Sequence, residues 1–406
     1  MKLKRKIGIV GTLGVLATMA YFSLLHLETT MIVDMRRLFR SNLTFATTCP
    51  SMQVRDDVTV TSRRPARTCE EVQHVVFAKT HKCGSDTLAI VFMRFADERN
   101  LTIMLPTGEW NLNWPGTLRK GVYHEPETRY FDVLTLHTVY NRSTIAPLFP
   151  PDTKHVTILR EPYAQFASAF NYFGVGNKMK TTKNVSSQAE KFELFLSDPD
   201  SYLKQHYWPH LPNFMSFDLG FKPTTNHTGG DARRFVRNVV ADFDLVMIME
   251  YYHESLVLLR RRFCWHVASI LFITKNKSWR RVFASAADRE RAESLRALYA
   301  RWSPVDIALY AHFNASLWES IAKEKSFAEE VWYFTELNQR VSVYCQKVIM
   351  RLNPPPEEFN VPESPWDAAF NVTSAMCARM RRNLLAYIAS EKAKAGLNKL
   401  VVPTGT

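Results

Sequence analysis

Lys79-Thr-His-Lys-Cys-Gly-Ser-Asp86 gathers two ammonium groups, an imidazole, a thiol, two hydroxyls and a glycine into eight consecutive residues. The apolar run Val75-Val-Phe-Ala78 before it reads as a short buried strand. Thr87 to Phe95 reads as a helix carrying Leu88, Val91, Phe92 and Phe95 on one face. A small-residue loop with lysines between a strand and a helix suits a phosphate. The helix start offers unpaired N–H groups and a partial positive charge. Lys79 and Lys82 add full charges, Ser85 adds a hydroxyl donor, and Thr80, Cys83, Gly84 and Thr87 complete the candidate anion-binding turn. Gly-x4-Gly-Lys-Ser/Thr is absent, which argues against ordinary ATP or GTP hydrolysis.

A second element of the same kind follows. His155-Val-Thr-Ile-Leu159 reads as another buried strand and leads into Arg160-Glu-Pro-Tyr-Ala-Gln-Phe-Ala-Ser168. Pro162 suits the first turn of a helix. Arg160 then stands at the strand's end and Ser168 two turns further on. Arg supplies a planar, always-charged, bidentate fork, and Ser a short donor.

These residues need a scaffold, and from about residue 71 to 330 strand-like runs alternate with helical ones. That alternation predicts an α/β fold with a mostly parallel central sheet flanked by helices. The strand candidates are Val75–Ala78, Val133–Leu136, Val156–Leu159 and Leu245–Met249. Helices are expected over Glu254–Phe263 and Tyr310–Ile321, the latter with Leu309, Phe313, Leu317 and Ile321 on one face. Residues 331–406 read as a helical extension of the same domain, broken at Pro354-Pro-Pro356.

The N-terminus sets a different frame. Residues 7–27 are 21 mostly apolar residues without a formal charge, preceded by Lys2, Lys4, Arg5 and Lys6. Length and charge predict a single transmembrane signal-anchor with residues 1–6 in the cytosol. Residues 28–70, polar and poorly periodic, then form a lumenal stem. Eight Asn-x-Ser/Thr sequons, at Asn42, Asn100, Asn141, Asn184, Asn226, Asn276, Asn314 and Asn371, fit a lumenal chain. Six cysteines fit the same compartment and allow fifteen complete pairings. The expected pairs are Cys49 with Cys69 and Cys345 with Cys377, with Cys264 a core thiol. The net charge of +13 suits anionic donors and membrane surfaces. Nucleic acid is not expected, because the basic residues are spread along the chain.

The two phosphate motifs resemble the 5′-phosphosulfate and 3′-phosphate elements of sulfotransferases. Later blocks narrow the resemblance to the galactose 3-O-sulfotransferase family: Phe77-Ala-Lys-Thr-His-Lys82, His155-Val-Thr-Ile-Leu-Arg-Glu-Pro162, Phe217-Asp-Leu-Gly220, Phe243-Asp-Leu-Val-Met-Ile-Met-Glu-Tyr251, Glu254-Ser-Leu-Val-Leu-Leu259, Cys264-Trp265 and Leu309-Tyr-Ala-His-Phe-Asn-Ala-Ser-Leu-Trp318. Asp86 and Glu161 depart from the family pattern, where a small hydroxyl residue and an Asp are usual.

The resemblance implies a P-loop-like sulfotransferase fold and transfer of a sulfuryl group to the 3-hydroxyl of a terminal β-galactose. The donor would be 3′-phosphoadenosine-5′-phosphosulfate (PAPS), and the acceptor a galactose-terminated glycolipid or glycan. It also implies a single-pass type II protein of the Golgi membrane. Lys82, Ser85, Arg160 and Ser168 would hold the donor's phosphates, and Lys82 would stabilise the leaving phosphate. A neutral imidazole suits the base that takes the sugar proton. His81 is the first candidate and His137, after Leu134-Thr-Leu136, the second. No metal is required. Trp110, Trp114, Tyr123 and His124 form an aromatic segment able to stack on sugar faces. Two other classes compete: a metal-dependent glycosyltransferase using Asp242 and Asp244, and a non-catalytic glycan-binding protein. The acceptor and the oligomeric state are not fixed by the residues.

Overall fold

The computed structural model describes residues 69–179, 185, 187–206, 211–222, 229–273, 286–350 and 358–397, with residues 203–206 and 286–290 followed as backbone only. The expected anchor, the expected stem up to residue 68, Cys49, the Pro-rich break and the sequons at Asn42, Asn184, Asn226 and Asn276 lie outside them. Among the described residues no helix is long and apolar enough to cross a membrane.

Four parallel strands make the central sheet. They are β1 (Val75–Ala78), β2 (Val133–Leu134), β3 (Lys154–Leu159) and β4 (Leu245–Ile248), in the order β2-β1-β3-β4. Val75, Val76, Phe77 and Ala78 of β1 lie beside Lys154, His155, Val156 and Thr157 of β3. Nearly every strand residue is buried, as expected for a parallel sheet covered on both faces. β2 stops two residues short of the expected Leu136, and β4 one short of Met249, where the chain tightens into a 3-10 turn.

From β1 the chain runs first to β2 on one side and later to β3 on the other. The carboxyl ends of β1 and β3 therefore flank a topological switch point, where open α/β sheets form their binding crevice. The Lys79–Ser85 loop and Arg160 both emerge there.

The helices that frame this crevice are α1 (Ser85–Glu98), α2 (Pro162–Tyr172) and the short α3 (Phe214–Asp218). Behind them lie α4 (Gly229–Asp242), α5 (Tyr252–Phe263) and α6 (Pro304–Ile321), with α6 packed on both α4 and β4. α1 is held by a stack of aromatic rings. Phe77 meets Phe92 at 5.2 Å, and Phe95 lies on Trp265 at 3.7 Å. Trp265 is fully buried and donates its indole N–H to the Val72 carbonyl at 2.8 Å. Truncating Phe92 or Trp265 would cost about 3–5 kcal/mol.

The same contact decides the disulfides. Cys69 pairs with Cys264, not with Cys49, and Cys264 is not a core thiol. Val72 donates its N–H to the Phe263 carbonyl at 3.0 Å, which lays the N-terminal segment along the end of α5 and brings Cys69 to Cys264. The expected Cys345–Cys377 bridge is present. It ties α7 (Phe327–Ile349) to α8 (Ser374–Arg381), while α8 and α9 (Leu384–Lys394) pack on α1. The C-terminal region is not purely helical, because β5 (Phe359–Val361) and β6 (Phe370–Val372) pair there as an antiparallel hairpin.

Candidate active site

The β1–α1 loop turns tightly. Lys82 and Gly84 both have left-handed backbone, with φ of 62° and 72°. Gly84 is the N-cap of α1, and no side chain caps the helix. The first-turn N–H groups thus face the crevice without a carboxylate or hydroxyl on them, which favours an anion.

The side chains of the loop divide between two directions. Thr80 donates its hydroxyl to the Ile158 carbonyl, and Ser85 donates its own to the Thr80 carbonyl at 2.6 Å. The Cys83 thiol is buried and donates to the His81 carbonyl at 3.3 Å; burial pushes its pKa up. Thr80, Cys83 and Ser85 therefore brace the turn with their side chains. The Ser85 hydroxyl, expected to meet a phosphate, is directed at the Thr80 carbonyl here, and Ser85 also contributes helix-start backbone. Thr87 lies on the flank of α1, lining a small cavity with Phe272, Ile273 and Met380.

Lys79 turns inward. Its ammonium is buried, donating to Asp86 at 2.6 Å and to His137 Nε2 at 2.7 Å. Burial pulls the Lys79 pKa down against the pull of Asp86. Burial works to raise the Asp86 carboxyl, but Lys79, Lys82 and His81 hold it below the usual carboxylate range. The acid of this loop is thus matched by its first lysine. Lys82, by contrast, reaches outward over the Tyr172 ring at 3.6 Å. Partial burial lowers its pKa.

From the second junction, Arg160 donates to the Lys82 carbonyl at 3.0 Å, and Gln165 donates to the His81 carbonyl at 2.8 Å. α2 thereby clamps the first loop. Ser168 sits two turns along α2, partly exposed. The start of α2 is closed to anions, because Glu161 caps it, accepting from Tyr163 and Ala164 N–H at 3.3 and 2.8 Å. Glu161 also pairs with Arg296 at 2.9 Å.

The two histidines stack, rings 3.8 Å apart and 15° from parallel. His137 has both nitrogens engaged, Nε2 with Lys79 Nζ and Nδ1 with the Lys79 carbonyl at 3.2 Å. Burial, Lys79 and His81 hold its pKa well below 6.5. His81 Nδ1 lies 2.9 and 3.0 Å from the two carboxylate oxygens of Asp218. Its Nε2 has no partner among the described residues. Asp218 also accepts the His81 backbone N–H at 2.7 Å and the Trp114 indole N–H at 2.9 Å.

Nothing local in the sequence marks Asp218 as a site residue or Trp114 as its partner, although Asp218 lies in the block Phe217-Asp-Leu-Gly220. α3, which carries Asp218, is seated by buried Asp306, which accepts from Met215 N–H, Ser216 N–H and the Ser216 hydroxyl at 3.1, 2.8 and 2.6 Å. Of the aromatic segment, Trp114 lies tilted beside His81 at 4.5 Å, and Trp110, 42% exposed, stands edge-on to His137 at 6.3 Å. Tyr123 instead packs into the core against Phe131.

Asp242 and Asp244 lie elsewhere. Asp244 accepts from the His155 backbone N–H and Lys154 at the amino ends of β3 and β4, and Asp242 faces Arg142. These carboxylates hold strands and loops together at the edge opposite the crevice. Among the described residues no cluster of His, Cys, Asp or Glu could hold a metal ion.

Residues 4–355 match the model of the family described as Galactose-3-O-sulfotransferase. The chain is similar to galactosylceramide sulfotransferase of Bos taurus, 32% identical over 286 residues, covering 68% of this chain and 65% of the relative. The human galactosylceramide sulfotransferase is 30% identical over 312 residues, covering 74% and 70%. Galactose-3-O-sulfotransferase 3 of Bos taurus is 35% identical over 255 residues, covering 61% and 57%. The matched stretch spans 57–70% of the length of these relatives.

Proposed function

The chain belongs to the galactose-3-O-sulfotransferase family, and on that premise we propose that it transfers a sulfuryl group from PAPS to the 3-hydroxyl of a terminal β-galactose. The observation that carries the reading is the pairing, in one crevice, of an uncapped helix start beside Lys82 with a histidine whose Nε2 is uncommitted. The 5′-phosphosulfate would rest on the start of α1 and Lys82. The 3′-phosphate would take Arg160 and Ser168, since Glu161 fills the start of α2.

His81 Nε2 accepts the proton of the sugar hydroxyl. The oxygen forms a bond to sulfur as the bond from sulfur to the 5′-phosphate oxygen breaks, and adenosine 3′,5′-bisphosphate (PAP) leaves. Lys82 stabilises the negative charge that gathers on the departing phosphate. His137 supports His81 as a neutral stacked ring. Trp110, exposed beside this pair, is suited to the apolar face of the galactose. The reaction calls for no metal.

The acceptor is a galactose-terminated glycolipid or glycan. Residues 7–27 anchor the chain in the Golgi membrane with residues 28–406 in the lumen, a reading supported by the flanking basic residues, the sequons and the described disulfides. The test is incubation of the purified chain with PAPS labelled at sulfur and a panel of galactosylceramide, lactosamine and a core-1 galactoside. Label on the galactose 3-hydroxyl of at least one is expected. Binding to immobilised PAP without transfer to any galactoside would defeat the acceptor assignment, and failure to bind PAP would defeat the class.

A further inference from the structure

Asp218 is a buried charge beside the reacting groups, with no role in the reaction as drawn so far. Asp218 is 2% exposed and accepts three N–H groups, two of them from His81. A buried carboxylate of this kind is costly unless it is fully hydrogen-bonded. Its two oxygens face His81 Nδ1 together, so Nδ1 must be the protonated nitrogen, and the lone pair is left on Nε2.

We infer that Asp218 is a positioning residue that fixes His81 in the Nδ1–H tautomer, with Trp114 holding the carboxylate in place. The inference rests on His81 being the base. The arrangement does two things that one hydrogen bond would not. The backbone N–H and Nδ1–H of the same histidine reach one carboxylate, which locks both the loop and the ring. The imidazolium formed when Nε2 takes the sugar proton then lies against a fixed negative charge. Asp306, by seating α3, sets the position of that charge from behind. The other charged groups around the pair are Lys79 and Asp86, already matched to each other, and Lys82, which points out over Tyr172. None of them competes for Nδ1.

The test is Asp218→Asn, alone and with Trp114→Phe, the second change removing the indole N–H that a carboxamide NH2 would otherwise face. An amide cannot accept every N–H that the carboxylate does, and it disfavours the Nδ1–H tautomer. With PAPS and a galactoside acceptor, kcat is expected to fall about 10²–10⁴-fold, while PAP affinity and KM for PAPS stay within about twofold. Loss of PAP binding in parallel with kcat would mean that Asp218 merely supports the loop, and would overturn the inference. So would a normal kcat.

A second measurement does not depend on the Asp218 variants folding. Nitrogen-15 NMR of the unmodified chain, with the His81 ring assigned by comparison with His81→Gln, should show the proton on Nδ1. A proton on Nε2 would overturn the inference. The tautomer is read without turnover, so it stands apart from the functional reading, which fails only if the unmodified chain binds no PAP or sulfates no galactoside.

Discussion

The two strand-to-helix junctions that meet in the crevice are built in opposite ways. After β1 the chain makes a six-residue turn through Lys79 to Gly84, and α1 begins without a side-chain cap. After β3 only Arg160 and Glu161 intervene, Pro162 opens α2, and the Glu161 carboxylate occupies the N–H groups at the helix start. One junction offers an anion its backbone. The other offers only side chains and uses its own backbone to stay folded. Both motifs have the same outline in sequence, yet they differ in what remains uncommitted after folding. Availability, more than residue type, decides which groups can meet a phosphate.

The largest effect that would sharpen this contrast belongs to the first junction. Lys82→Ala should lower sulfate transfer by about 10²–10³-fold, the usual cost of removing one charge-stabilising group. The described disulfides and the core are untouched, so the thermal transition should move little. Substantial turnover in the variant would remove Lys82 from the mechanism.

At the second junction, Arg160→Ala should weaken PAP binding more than Ser168→Ala. A charge-assisted hydrogen bond is worth about 1.5–3 kcal/mol and a neutral one roughly 0.5–1.5 kcal/mol. Calorimetric titration with PAP gives both. Equal, unchanged affinities would place the 3′-phosphate elsewhere.

Glu161→Ala separates capping from binding. Loss of the N-cap should cost about 0.5–2 kcal/mol of stability in urea unfolding. PAP affinity should not fall with it; a matching fall would show that the closed helix start takes part in binding.

The smallest effect is a pH dependence. Folding keeps His137 neutral, whereas the unfolded chain protonates it near pH 6.5. Below that pH the unfolded state binds more protons, so stability drops as pH falls. His155, which burial holds to about 4, acts in the same direction. Urea unfolding at pH 5 and pH 7 should therefore show a smaller drop for His137→Asn than for the unmodified chain. An identical drop would mean that His137 titrates normally in the folded protein.

Much of this was legible in the chain itself. The run Val75–Ala78 is a strand at those very residues, because four consecutive apolar residues before a glycine-containing loop have few other uses. The placement of Arg160 and Pro162 follows equally from local chemistry. What stayed hidden depends on contacts between distant segments. Cys69 and Cys264 are separated by 195 residues, and nothing near either one names its partner. Lys79 reads as a phosphate ligand, and only the fold shows its ammonium lying between Asp86 and His137. Asp218 could have been suspected from its place between Phe217 and Leu219, where an acid needs buried donors, but only the fold supplies His81 and Trp114.

The claim at the centre of the account is that His81, not His137, takes the proton from the sugar. The direct measurement is a single-turnover rate with PAPS bound, on His81→Gln and His137→Gln side by side, with PAP affinity determined for each. The account predicts near-normal PAP binding in both, a loss of about 10²–10⁴-fold for His81→Gln, and a much smaller one for His137→Gln. A nearly normal rate in His81→Gln beside a dead His137→Gln would contradict it.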